Sequence, residues 1–310
     1  MEDRTSQLKN IARRLMREHS LEPDLSTAAL EQLRTIGAAP LARGPGIRDL
    51  RHLPWCSIDN DDSRDLDQLS VAQPQGGGGV KILVAVADVD AVVQVSAPLD
   101  EHARTNTTSV YTAAEVFPML PERLSTDLSS LAEDQERLSL VVDMTVTAAG
   151  AVDASVVYRA VVVNRAKLAY DPVAAWLEGR GPPPARAASV SGMDQQLRVQ
   201  DGVAQALKRV RREQGALGLT TLEARAIYHG SALTDLRPDE DNRAKELIEY
   251  FMIAANTAVA QFLERHRYAS LRRVLCAPER WGRIMARSAT FSPGESAPPR
   301  SASRTCRCRS

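Results

Sequence analysis

Cys56-Ser57-Ile58-Asp59-Asn60-Asp61-Asp62-Ser63-Arg64-Asp65-Leu66-Asp67-Gln68 follows directly on the apolar Leu53-Pro54-Trp55 and puts five carboxylates into nine residues. Carboxylates at that density repel one another, and a hard cation sharing their oxygens relieves the repulsion. Asp65 and Asp67 are two apart, so in an extended chain they face the same way, about 6.5 Å apart at roughly 3.3 Å rise per residue. That separation suits the flanks of a pair of Mg²⁺ ions, and two metals about 4 Å apart serve in-line attack on a phosphodiester. A solvated acidic loop is the plain alternative. An EF-hand fails on position: counted from Asp59, the sixth residue is Arg64 where glycine is required, and the twelfth is Ser70 where glutamate is required.

Outward from this loop the chain alternates strand and helix signals. Gln73-Pro74-Gln75 and Gly76 to Gly79 form a turn between two apolar runs, so Leu69–Ala72 and Val80–Ala87 are expected to make a hairpin. Leu138–Val146 and Val152–Asn164 predict a second pair of strands around Ala148-Ala149-Gly150. Helical spacing predicts helices over 6–20, Thr27–Ile36, Pro172–Gly179, Met193–Glu213 and Ala244–His266, with Leu41–Ile47 as a linker around Gly44-Pro45-Gly46. Mostly antiparallel strands followed by helices indicate an α+β fold.

The strings around the acidic loop, taken in order, are specific. They are Val80-Lys81-Ile82-Leu83-Val84-Ala85-Val86-Ala87-Asp88-Val89, Leu99-Asp100, Thr108-Ser109-Val110-Tyr111, Val116 to Ser125, Ser129-Ser130-Leu131, Ala166-Lys167-Leu168-Ala169-Tyr170-Asp171 and Leu247 to Asn256. Together they closely resemble the catalytic domain of the ribonuclease II / ribonuclease R (RNB) family of 3′→5′ exoribonucleases, over roughly residues 50–285. The Asp65-Leu66-Asp67-Gln68 string is similar to that of a bacterial subgroup of the family.

The resemblance implies an Mg²⁺-dependent exoribonuclease that releases nucleoside 5′-monophosphates from single-stranded RNA. It places Asp59, Asp65 and Asp67 at the metals and the scissile phosphate, with Asp67 catalytic and Gln68 in a fourth place that the family fills with aspartate. A Gln carbonyl oxygen ligates without charge and holds a metal less tightly. Tyr111 matches the aromatic that clamps incoming bases, Tyr170 the one near the 3′-terminal nucleotide, and Glu249 the helix glutamate lining the active site. The apolar neighbours of Glu249 argue against a wholly solvated position. The family's later arginine-bearing string and its S1-type barrel have no counterpart here. The expected organisation is therefore a helical segment and linker over 1–48, an incomplete catalytic domain over 49–288, and a disordered tail over 289–310 that fits an out-of-frame reading. Val274, Leu275, Trp281 and Ile284 are expected to be exposed by the missing half, and a catalytically impaired RNA-binding fragment is the alternative reading.

Composition sets the outer limits. The 310 residues, 44% of them hydrophobic, suffice for one large domain or two small ones. No apolar run reaches the roughly 20 residues of a membrane span. Cysteines 56, 276, 306 and 308 have neither a disulfide-framework nor a zinc-ligand spacing, so a reducing cytoplasm is the expected setting. The formal net charge is zero, and any RNA channel must be lined locally with basic residues.

Overall fold

The computed structural model describes residues 4–39, 44–112, 114–216, 224–229, 232–238 and 241–271. The expected tail and the four apolar residues from Val274 to Ile284 lie outside them. Met1–Tyr268 belong to one compact unit.

The chain begins with α1 (Arg4–Glu18) and α2 (Thr27–Thr35), the latter capped by Ser26, whose side chain accepts from Ala29 N. The strands β1 (Ile47–Asp49), β2 (Trp55–Asp59), β3 (Gln68–Pro74) and β4 (Val80–Ala87) follow, then α3 (Pro98–Asn106) and a small hairpin of β5 (Val110–Tyr111) and β6 (Val116–Phe117). Next come the long strands β7 (Glu136–Val146) and β8 (Val152–Ala169) and the helices α4 (Tyr170–Leu177), α5 (Ala185–Ser189) and α6 (Met193–Glu213). A separate hairpin of β9 (Ala224–His229) and β10 (Ala232–Pro238) precedes α7 (Arg243–Arg265).

Both predicted hairpins form, β3–β4 and β7–β8, each in antiparallel register. The expected linker differs: Ile47–Asp49, at and beyond its end, pair in parallel with Arg159–Val161 of β8. β8 has 18 residues and uses both edges, antiparallel to β7 on one and parallel to β1 and then β2 on the other. Because β2 joins β3, β3 joins β4 and β4 joins β7, the sheet closes into a barrel. A register shift at Trp55/Cys56 marks where β8 settles against β2. There the buried Asn164 donates to Ser57 Oγ and to Leu131 O, both at 3.0 Å.

Strand alternation then sorts the apolar side chains into two sets. Trp55, Leu69, Val71, Leu83, Ala85, Val141, Ala160 and Val162 share the barrel interior with Leu53, Leu66 and Leu131 from its loops. Cys56, Ile58, Ala72, Ile82, Val84, Val142, Met144 and Leu168 face outward, under α4, α6 and α7. The β7–β8 turn presses on α6 so closely that a Cβ at Gly150 would lie 2.5 Å from Ala206 O, and Gly150 has φ +89°, so glycine is required there.

The barrel has one thin seam. β2 and β3 share a single registered pair, Cys56 with Ser70. α6 fills the gap with two buried amides. Gln196 accepts from Ala72 N at 3.0 Å and donates to Pro54 O at 2.6 Å. Gln200 accepts from Ser70 Oγ at 2.8 Å and donates to Gln196 Oε1. A helix side chain thus stands in for the missing rung of the ladder. Gln196→Leu strands a buried N–H and a buried C=O, each costing about 1–3 kcal/mol. Chemical denaturation should show a loss of about 2–4 kcal/mol with an unchanged m-value, and a loss below ~0.5 kcal/mol would refute the seam's dependence on this amide.

Candidate active site at the barrel rim

The carboxylates gather where β2, β3 and β8 end together. Asp59 closes β2 and pairs with Ala169, the residue before Tyr170. On the other edge Cys56 pairs with Ser70, and beyond that pair Asp59 comes near enough to Asp67 to bear on its titration. Asp67 O accepts from Ala87 N at 3.0 Å, which carries the β3–β4 ladder to the same level. Leu66 is buried inside the barrel, so its neighbours Asp65 and Asp67 are turned to the rim.

Electrostatics couples the three aspartates. Asp67 is exposed as a residue, yet partial desolvation of its carboxylate, and then the charges of Asp65 and Asp59, push its pKa up to about 6. Asp59 Oδ1 accepts from Asn60 N at 2.7 Å and from Ser63 Oγ at 2.9 Å, which folds its carboxylate into its own loop. Lys167 on β8 donates to the backbone carbonyl of Asp61 at 3.2 Å, holding the loop without neutralising a carboxylate. Among the described residues, no three His, Cys, Asp or Glu side chains are drawn tightly enough to cage a metal. The donor set nonetheless fits Mg²⁺: oxygens only, with desolvation and then the charges of Asp65 and Asp59 keeping Asp67 hard to ionise.

The other expected site residues divide. Gln68 is the first residue of β3, paired with Val86, beside the aspartates. Tyr170 opens α4 at the end of β8 and packs against the outer core. The neighbouring Asp171 accepts from Asn242 at 3.1 Å, tying the start of α4 to the start of α7. Glu249 is exposed, contrary to the expectation from its apolar neighbours. At about 100° per residue, Leu247, Phe251 and Ala258 share the buried face of α7 and Glu249 lies opposite them. Tyr111 is 71% exposed on the β5–β6 hairpin, which excludes a packing role. Thr112 braces that hairpin, its hydroxyl donating to Glu115 O and accepting from Glu115 N. Ser63, Ser130 and Lys167 escaped the sequence reading. All three lie in quoted strings, but nothing in a linear pattern says which groups of the acidic loop they bond.

Fold and rim together define a barrel-based domain with an acidic, oxygen-rich centre. The RNB domain profile matches residues 47–298, and the chain belongs to this family. It is 35% identical over 241 residues to Ribonuclease R of Escherichia coli K12, covering 74% of this chain and 28% of that protein. Ribonuclease R of Vibrio cholerae is 37% identical over 230 residues, with the same coverage of 74% and 28%. The chain therefore spans under a third of the length of these relatives. Among solved structures, Mycoplasma genitalium RNase R in complex with ribose methylated single-stranded RNA superposes with a TM-score of 0.73 at 22% identity, over 81% of this chain and 39% of that one. Yeast Ssd1, a pseudonuclease, gives 0.57 at 16% identity, over 75% of this chain and 28% of that one. At these identities the structural likeness is one of fold.

The raised pKa of Asp67 has a thermodynamic consequence. An unfolded aspartate titrates near 3.9. The folded state therefore binds the extra proton between about pH 4 and 6, and stability falls as pH rises through that window. Asp67→Asn removes the repelled charge. In EDTA at pH 7.5 its melting temperature should exceed that of the parent chain by a few degrees, and the gain should vanish near pH 4. A variant that melts lower than the parent at pH 7.5 would contradict this.

Proposed function

We propose that this chain carries the catalytic chemistry of a 3′→5′ exoribonuclease, hydrolysing single-stranded RNA in the cytoplasm to nucleoside 5′-monophosphates. The observation that carries the reading is the electrostatic coupling of Asp59, Asp65 and Asp67 at one barrel rim, in a chain of the RNB family. Asp59, Asp65, Asp67 and the Gln68 carbonyl would hold Mg²⁺, which when bound supplies charge neutralisation and lowers the pKa of a water. Tyr111 stacks on incoming bases from its braced hairpin, at about 1–3 kcal/mol per base and without sequence preference. Tyr170 is assigned to the 3′-terminal nucleotide, a reading supported by its place one residue past the partner of Asp59. Glu249 keeps the active-site role that the family resemblance gives it, and its exposure leaves it open to a ligand.

The second reading is an RNA-binding chain with little hydrolysis. It is favoured by the uncharged Gln68 among the carboxylates.

One preparation separates the two. Single-stranded RNA labelled at either end is incubated with Mg²⁺ or EDTA and resolved by length, while a gel shift measures binding. The proposal expects Mg²⁺-dependent loss of a 3′ label as mononucleotide. Asp67→Asn should lower turnover at least about 100-fold with binding kept within a few fold, because charge is needed at the reacting phosphate and the strand is held elsewhere. Binding without Mg²⁺-dependent shortening selects the second reading. Wild-type turnover in Asp67→Asn removes that residue from the site.

A further inference from the structure

The acidic loop has few interactions of its own, yet the backbone around Asp65 is fixed on both sides by one distant hydroxyl. Ser130 Oγ accepts from Leu66 N at 3.1 Å and donates to Arg64 O at 2.9 Å, so the same oxygen brackets Asp65. Leu131 N donates to Leu66 O at 2.8 Å, which makes a short ladder between residues 64–66 and 130–131. Ser130 is 1% exposed and Leu131 1% exposed. Leu131 shares the barrel interior with Leu66, so the ladder is anchored in the core rather than in solvent.

Ser130 is itself held. Arg137 on β7 donates from Nε to Ser130 O at 3.0 Å and from its terminal nitrogens to Asp127 O and Glu136 O, both at 3.0 Å. The guanidinium thus grips the 127–130 turn through carbonyls. The adjacent Ser129, 8% exposed, donates instead to Leu124 O at 2.9 Å, away from the acidic loop's own hydrogen bonds. Two neighbouring buried serines therefore do separable work.

We infer that Ser130 is the positioning residue of the acidic loop, fixing the backbone on either side of Asp65 so that Asp65 and Asp67 reach a bound divalent cation together. The inference rests on the proposed reading of that loop as a metal site. Without the hydroxyl, Leu66 N–H and Arg64 C=O lose their partner while the Leu66 side chain stays buried. The fold survives and the carboxylates lose their common direction. Groups that orient metal ligands in this way typically govern 10–100-fold of affinity.

The test is Mn²⁺ titration of the full chain by calorimetry, with melting curves and hydrogen exchange at the Leu66 amide on the same samples. Ser130→Ala should bind Mn²⁺ roughly 10–100-fold more weakly and exchange the Leu66 amide faster. Ser130→Thr, which keeps donor and acceptor, should restore most of the affinity. Ser129→Ala should lose comparable melting temperature with Mn²⁺ affinity unchanged. Should Ser130→Ala fail to fold, Ser130→Cys keeps the volume with a weak donor and should show a smaller loss of the same sign. Wild-type affinity in a folded Ser130 variant lacking the hydroxyl overturns the inference, as does an equal loss in Ser129→Ala. A parent chain that binds no Mn²⁺, or Asp65→Asn binding as tightly as the parent, overturns the reading of the metal site instead.

Discussion

The pairing of β8 along both of its edges is the constraint on which the rest of the molecule depends. One strand of 18 residues closes the barrel by meeting β7 on one side and β1 and β2 on the other. Closure gives β2, β3, β4, β7 and β8 a neighbour on each side, confines Trp55 and its neighbours to a small interior, and gives α4, α6 and α7 a continuous outer surface. It also brings the C-terminal ends of β2 and β8 side by side, so that Asp59 and Tyr170 arrive at the same rim.

At that rim the protein holds three like charges together and compensates none of them fully. The supports around the loop are neutral or act on backbone: Ser63 and Asn60 N on Asp59, Ser130 on Arg64 and Leu66, Lys167 on the carbonyl of Asp61. Arginine pairs of the kind seen elsewhere, as between Arg243 and Asp201, are not used on Asp59, Asp65 or Asp67 among the described residues. A guanidinium there would stabilise the free protein and compete with a cation for the same oxygens. The repulsion is thus kept in a form that a hard ion can relieve.

Much of this was legible in the sequence, for identifiable reasons. The β3–β4 and β7–β8 hairpins carry strand-length apolar segments on either side of short turns, and Met193–Glu213 reads as α6 to the residue. The parallel pairing of β1 and β2 with β8 was hidden, because such neighbours share no turn and β1 is three residues beside a Gly-Pro-Gly stretch. Gln196 and Gln200 looked like ordinary polar positions of a helix; only the thin β2–β3 seam makes them necessary. The aspartates were legible from their density and family pattern. Ser130 was not, since its role lies in a contact 64 positions away, nor was the outward turn of Glu249, which depends on which face of α7 the barrel claims.

The link between Asn164 and Ser57 spans 107 positions. A ribosome adding about 5–20 residues per second needs on the order of 5–20 s to cover that stretch. During synthesis the acidic segment therefore emerges well before the strand that aligns it. Until β8 has cleared the exit tunnel, the nascent chain carries its carboxylates on unclosed backbone. Barrel closure thus sets the moment at which the rim carboxylates come into register, and the acidic segment waits on a strand made long after it.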